Sequence, residues 1–309
     1  MYDTLKLWLP AQSIVGLDYL NRIPPLLDNL TQHTKADAEY ITGNFEGLKT
    51  SLSINGIGLL GSLAKYYLND NIKTLTRQDT QRAIEMLSDD LNLPMNEAIV
   101  SRADVSQNFV MNYEPELYYP LLGESTRYKR LPNPQSIYYN NSLRVKLFYN
   151  KVAEVKHKRV IVPEIWKGKN VLRYELRFTS RLPQQFNCNK VQAKSLYEEG
   201  FYIDIIDRWL KEYEAINKLN EINLNYNKMN KPKDFLNQMA LLMINEIGQS
   251  EALKLVDQLK AKNCFEHKEY YSRVKADIRR LCKTYEPECT NDLITELNKK
   301  VRQVKEYYR

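Results

Sequence analysis

The sequence predicts an α+β protein: a mainly antiparallel sheet with flanking helices, followed by an all-helical C-terminal region. Three observations point there. Short runs of alternating polar and apolar residues, with helical segments between them, fill the first 190 residues. Two of the runs adjoin across Asn140-Asn141, as in a hairpin. After residue 190 the strand signals disappear and helical periodicity takes over.

In order along the chain, residues 2–9 (YDTLKLWL) alternate like a half-buried strand. Residues 45–55 (FEGLKTSLSIN) repeat the pattern and lead into a glycine-rich turn at Gly56, Gly58 and Gly61. Thr76, with Asp79 three residues on, caps a helix whose Ala83, Ile84, Leu87 and Leu91 line one face, and Pro94 ends it. A strand fits 98–110, a short helix 115–122, and hairpin strands 135–140 and 143–150. The last strand, 170–179 (NVLRYELRFT), alternates most cleanly. Helices then fit 201–219, 233–247, 250–262, 266–285 and 290–308. Gly248 stops the second and Ser250 caps the third. The Asn-rich stretch 220–232 reads as a linker. The expected division is an α+β unit over 1–190 and a helical unit over 191–309.

The chain has 309 residues, enough for two modest domains or one large one. A charged fraction of 27% and a hydrophobic fraction of 43% exclude a disordered or fibrous chain. No run approaches the roughly 20 apolar residues of a membrane-spanning helix, and MYDTLKLWLP does not read as a secretory signal. Cys188, Cys264, Cys282 and Cys289 lack CxxC spacing and read as free thiols of a reducing cytoplasm. The net charge of +7 is uneven: residues 1–100 carry −4, 101–200 carry +8 and 201–309 carry +3. Residues 127–181 hold 14 basic against 3 acidic residues. A positive field confined to one segment suggests a polyanionic partner, although a solvated basic face is the plainer reading. The 22 tyrosines add rings able to stack on unpaired bases, though most are expected in the core.

No phosphate-binding GxxxxGK[ST] loop and no GxGxxG is present, and His33, His157 and His267 are scattered. Acid–base or metal chemistry must therefore rest on carboxylates, tyrosine, lysine and arginine. Three segments carry such residues. In Arg102-Ala103-Asp104 the two charged side chains share a strand face. Tyr149-Asn150-Lys151-Val152-Ala153-Glu154 closes the strand RVKLFYNK. In Arg173-Tyr174-Glu175-Leu176-Arg177 the charged residues face away from Leu172, Tyr174, Leu176 and Phe178. A carboxylate between arginines is either a surface ion-pair ladder or a metal or phosphate site; from this segment alone the ladder is favoured. Tyr149 shares parity with Val145 and Leu147, so alternation alone would bury it unless a bulge or the strand end turns it outward. Lys151 with Glu154, and Arg102 with Asp104, also read as ordinary ion pairs. Tyr138 and Tyr139 read as sheet residues, one of which can stack a base.

Taken together, four segments in order resemble the gene-II-type replication initiators of filamentous phages and related plasmids. They are the opening MYDTLKLWLP, the strand VSRADVSQNF, the Tyr-x-Lys-x-x-Glu pattern in RVKLFYNKVAE, and VLRYELRF. The resemblance spans roughly residues 1–185; it departs from the family pattern at Ala103 and in the glycine-rich segment 55–65. It implies a rolling-circle DNA replication initiator: a metal-dependent, site-specific single-strand endonuclease and strand transferase. Tyr149 would be the nucleophile, forming a 5′-phosphotyrosine and freeing a 3′-hydroxyl primer. Lys151 would steady the phosphate or the leaving oxygen. Asp104 and Glu175, and after them Glu154, would hold Mg²⁺ or Mn²⁺. Arg102, Arg144, Lys146, Arg173 and Arg177 would grip DNA. The implied partners are origin DNA, a host helicase and a host polymerase, in a bacterial cytoplasm and with no membrane. The helical unit would recognise the origin or bring copies together. A plasmid mobilisation relaxase and a non-catalytic origin-binding regulator are the alternatives.

Overall fold

In the computed structural model, which describes all residues except 17, 36–37, 71, 219–229, 285–291 and 309, twelve strands form. They are β1 (Tyr2–Pro10), β2 (Asp28–Lys35), β3 (Ala38–Phe45), β4 (Leu48–Ser53), β5 (Gly56–Ser62), β6 (Ile99–Met111), β7 (Leu122–Ser125), β8 (Lys129–Asn133), β9 (Ser136–Asn140), β10 (Arg144–Asn150), β11 (Asn170–Phe178) and β12 (Ile216–Lys218). Ten of them make one sheet in the order β2-β3-β4-β5-β1-β6-β11-β10-β9-β8, antiparallel at every junction; β7 and β12 pair separately. The expected α+β class with an antiparallel sheet and a helical C-terminal region is what forms. The helices are α1 (Tyr19–Arg22), α2 (Leu63–Leu68), α3 (Arg77–Leu91), α4 (Lys151–His157), α5 (Leu182–Gln185), α6 (Glu199–Glu214), α7 (Pro232–Ile247), α8 (Gln249–Ala261), α9 (Lys268–Thr284) and α10 (Asp292–Tyr308).

Alternation decides the two faces of the sheet. On the rear face, Leu5, Leu7, Val105, Phe148, Tyr174, Leu176 and Phe178 are buried under α3, α6 and α10. Tyr174 stacks on Phe148 at 4.4 Å between ring centres and lies 4.7 Å from the indole of Trp209 on α6. Each such side chain removed from water contributes about 1.5–3 kcal/mol. This core runs without a break from β1 through α6 to Leu297, Val301 and Val304 of α10, across the change of composition at residue 190. The front face carries a smaller apolar cluster, Val155, Trp166 and Val171, which seats α4 at one end of β11.

The helix expected after Thr76 forms with both capping-box hydrogen bonds. Four local expectations are corrected. Gly56, Gly58 and Gly61 lie inside β5 and not in a turn, and a Cβ at Gly61 would stand 2.6 Å from Leu48. Residues 115–122 hold only a single 3₁₀ turn, Pro115–Leu117, before β7 begins. The helix over 201–219 ends at Glu214, and Ile216–Lys218 leaves it to pair with β7. Gly248, not Ser250, caps α8. The expected linker 220–232 falls mostly outside the described residues.

Candidate active site

Four central strands, β1, β6, β11 and β10, set the charged residues in ranks on the front face. Antiparallel register aligns Tyr149, Arg173 and Asn108 in one rank, Leu147, Glu175 and Ser106 in the next, and Val145, Arg177 and Asp104 in a third. Directly opposed residues share a face at about 4.5–5.5 Å between Cβ atoms. Tyr149 therefore needs no bulge to leave the core. Its parity with Val145 and Leu147 is a front-face parity, because the rear face of β10 belongs to Lys146 and Phe148. The expectation that alternation buries it is corrected on that ground.

Arg173 organises the first rank. It is fully buried and donates to Ser106 Oγ at 2.6 Å, to Asn108 Oδ1 at 3.3 Å and to the Asp3 carboxylate. Asp3 reaches it because β1 bulges. Tyr2 pairs with Val105 and Leu5 with Ala103, so two residues on β1, Asp3 and Thr4, stand against Asp104 alone on β6, and Asp3 turns to the front. Burial acts to raise the Asp3 carboxyl. Arg173, the Ser62 hydroxyl and Lys151 outweigh it and hold the group below its ordinary value.

Tyr149 is half-buried beside this rank, and among the described residues its hydroxyl has no hydrogen-bond partner. Burial pushes its phenol above the ordinary value; Arg173 opposes the shift, while Glu175, Glu154 and Asp3 reinforce it. The resting side chain is a neutral phenol. Lys151 follows at the start of α4, where the Asn150 side chain accepts from Ala153 N at 3.0 Å and caps the helix. Lys151 is buried, its ammonium lowered by burial and by Arg173, and it donates to Glu154 at 2.9 Å.

Asp104 is 1% exposed and takes a bidentate grip from Arg102, at 2.8 and 2.6 Å, with Arg177 Nε 3.7 Å away. Burial pushes its carboxyl up to about 6; the Arg102 hydrogen bonds resist, and the neighbouring charge of Glu175 adds to the rise. Glu175, also buried, accepts from Arg177 at 3.3 Å. Two mutually repelling buried carboxylates are a donor set that suits a hard divalent cation. Glu154 does not join them. It is tied to Lys151 and Lys158 on α4, which hold its carboxyl low against the opposing effect of burial. Among the described residues no three His, Cys, Asp or Glu side chains are grouped to hold a metal. The expected third ligand is thus corrected.

Two expected DNA contacts are also displaced. Arg144 and Lys146 have the rear parity of β10. Lys146 is fully buried and binds Ser125 Oγ, Glu212 O and Glu212 Oε2, each at 2.8 Å, while Arg144 pairs with the same Glu212. Tyr138 stands on the front face opposite Leu147, and Tyr139 is buried behind, donating to Leu122 O and Gly123 O. Sequence reasoning missed Asp3, Ser106 and Asn108. The signal for Asp3 was there: two polar residues in succession, Asp3-Thr4, interrupt an alternating strand, as a bulge does.

The front face thus gathers Asp3, Asp104, Glu154 and Glu175 with Arg102, Lys151, Arg173 and Arg177 beside Tyr149. The family model for the N-terminal part of the phage gene II replication-associated protein matches residues 1–209, which makes this a replication-associated protein. The chain belongs to that family, the gene-II-type rolling-circle initiators that its four motifs resemble. No curated protein matches the chain.

Proposed function

We propose that the protein initiates rolling-circle replication by nicking one strand of its origin, with Tyr149 as nucleophile. The observation that carries this reading is the rank Tyr149–Arg173, where a half-buried tyrosine whose hydroxyl has no hydrogen-bond partner among the described residues stands opposite a fully buried arginine. Tyr149 Oη forms a bond to the scissile phosphorus, the bond from phosphorus to the 3′-oxygen breaks, and that oxygen leaves with a proton as the primer hydroxyl. The phenolic proton departs to solvent or to a neighbouring carboxylate. Arg173 and Lys151 face the charge that grows on the phosphoryl oxygens. Arg102 and Arg177 grip the flanking backbone. The tyrosyl ester keeps the energy of the broken bond, so a later 3′-hydroxyl rejoins the strand without ATP.

Asp104 and Glu175 are the residues that would hold a Mg²⁺ or Mn²⁺ ion. When bound, such an ion polarises the scissile phosphate and offsets its charge. The partners follow from the product: a host polymerase to extend the 3′ end and a host helicase to open the duplex ahead of it, both in a bacterial cytoplasm. Residues 191–309 would serve origin recognition or pairing of copies. A second reading, a non-catalytic origin-binding regulator, draws on the arginines that already neutralise Asp104 and Glu175. Incubating the protein with a supercoiled plasmid bearing its origin and Mg²⁺ separates the two. Nicking gives a relaxed circle, which Tyr149→Phe abolishes while origin binding stays near normal. Binding without any nicking by the unaltered protein selects the regulator.

A further inference from the structure

The front face does not end at the tyrosine. Beyond β6 it continues over β1, β5, β4, β3 and β2, and its residues there match those of a strand-binding platform. Register sets Arg102 opposite Lys6, Lys6 opposite Leu60, and Leu60 opposite Lys49. With Arg177 beyond Arg102, four cations mark a line across five adjacent strands, β4 to β11. At about 4.8 Å per strand that line is roughly 19 Å long. Lys6 and Lys49 are exposed, and among the described residues neither makes an ion pair. Beside them a second rank runs Trp8, Gly58, Ser51, Thr42.

Trp8 is half-exposed and lies against a glycine. A Cβ at Gly58 would stand 3.4 Å from the indole and 2.6 Å from Ser51 Oγ, so only glycine leaves this floor clear. The indole forms one wall of an open cavity of about 580 Å³, completed by Ser51, Ser53, Asn55, Glu39 and Tyr40. Tyr40 is itself stacked on His33 at 4.7 Å, with the rings 14° from parallel. The cavity thus combines an aromatic wall, polar groups at its edge and a row of cations alongside. Glu39 at the rim repels phosphate but accepts from a base amine, so the cavity suits a nucleobase and the lysine row suits the backbone.

We propose that unpaired DNA leaves the nick site across β6, β1, β5 and β4, with its phosphates on Arg102, Lys6 and Lys49 and one base lodged against Trp8 and Tyr40. The occupant is single-stranded DNA because a duplex cannot present a base face to an indole, whereas an unpaired strand stacks on aromatic rings in any sequence. The inference rests on the nicking reading for its direction, since it extends the same face away from Tyr149.

The test uses the full chain and a fluorescent twenty-residue oligothymidylate, followed by anisotropy, so no origin and no cleavage are needed. Trp8→Ala should weaken binding roughly 5- to 150-fold, the worth of one stacked base, and Trp8→Phe should restore most of it. Lys6→Ala with Lys49→Ala should flatten the dependence of log K on log salt by about 1.4, or 0.7 per lost phosphate. A matched thermal unfolding midpoint for each variant shows that the sheet is intact; if Trp8→Ala is unfolded, Tyr40→Ala carries the same expectation. Unchanged oligothymidylate binding in Trp8→Ala and Tyr40→Ala would overturn the proposal, as would a change in oligomeric state with no change in binding, which would make the face a contact between copies. If plasmid nicking fails but Trp8→Ala loses the oligothymidylate, the platform stands and the nuclease reading falls. Nicking together with normal Trp8→Ala binding gives the reverse.

Discussion

β10 and β11 carry a buried ion cluster on each of their two faces, and the two clusters are finished to different degrees. Behind the sheet, Glu212 of α6 receives Arg144 and Lys146. Lys146 further donates to Ser125 and to a backbone carbonyl, and its ammonium lies 4.0 Å from the ring centre of Tyr128. Among the described residues every charge there is answered by a neighbour. In front, Asp3, Arg173, Lys151, Glu154, Asp104, Glu175, Arg102 and Arg177 are also paired, but incompletely. Arg177 Nε has no hydrogen-bond acceptor, Asp104 is pushed up to about 6 by burial and Glu175, and the Tyr149 hydroxyl has no partner among the described residues. Burial of charge is common to both; what separates a strut from a site is the capacity left over.

The contrast can be broken by substitution on either face. The largest effect belongs in front: Tyr149→Phe should lower origin nicking by roughly 10⁴-fold or more, as loss of a nucleophile does, with the urea unfolding midpoint unchanged. Behind the sheet the order should invert. Glu212→Gln leaves Lys146 fully buried without a counter-charge and should cost about 3–5 kcal/mol in urea unfolding, while nicking per folded molecule holds. A nicking loss in Glu212→Gln comparable to that of Tyr149→Phe would show that the rear cluster is part of the chemistry.

Asp3→Asn is the intermediate case, because Asp3 neutralises the buried Arg173, which stands opposite Tyr149, the proposed nucleophile. Arg173 would keep Ser106 and Asn108 but drift from its rank. Nicking should fall by roughly 10- to 100-fold, the usual worth of a residue that orients a catalytic group, with binding of a fluorescent origin duplex within a few-fold of normal. If binding fell in parallel with nicking, Arg173 would be a DNA anchor and not a partner of the tyrosine.

How much of this could be read from the chain varies by residue. Alternation in NVLRYELRFT put Arg173, Glu175 and Arg177 on one face and Tyr174 on the other, because β11 carries strictly apolar residues behind. β10 hides its faces: Lys146 looks like a surface residue and is buried, since the group that answers it, Glu212, is 66 residues away and arrives only with α6. The same distance misplaced Arg144. Asp3 depends on a bulge whose register is set by β6, about a hundred residues later, so simple period-two reading cannot reach it. β2, written Asp28-Asn29-Leu30-Thr31-Gln32-His33-Thr34-Lys35, is polar almost throughout because it is an edge strand, and it gave no signal. The local rules failed where a partner came from far along the chain.

The smallest expected difference between the faces is in acid. Asp3 has a folded carboxyl below its ordinary 3.8, and Glu212 one below its ordinary 4.5, in each case because arginine or lysine outweighs the effect of burial. A carboxyl lowered in the folded state binds fewer protons there than in the unfolded chain. Its stabilisation is therefore complete above the unfolded value and drains away as the pH falls through the folded one. The Asp3 and Glu212 contributions should both weaken below about pH 4.5, Glu212 starting slightly before Asp3. Asp104, pushed up to about 6 in the fold, binds a proton more readily there than in the unfolded chain and acts in the opposite sense as the pH falls towards its ordinary 3.8. In Glu212→Gln the rear contribution is gone at every pH, so urea midpoints measured from pH 6 to pH 3 should decline less steeply than in the unaltered protein. Equal slopes in the two proteins would mean that Glu212 keeps its ordinary proton affinity behind the sheet, and that the rear cluster is no more closed than the one in front.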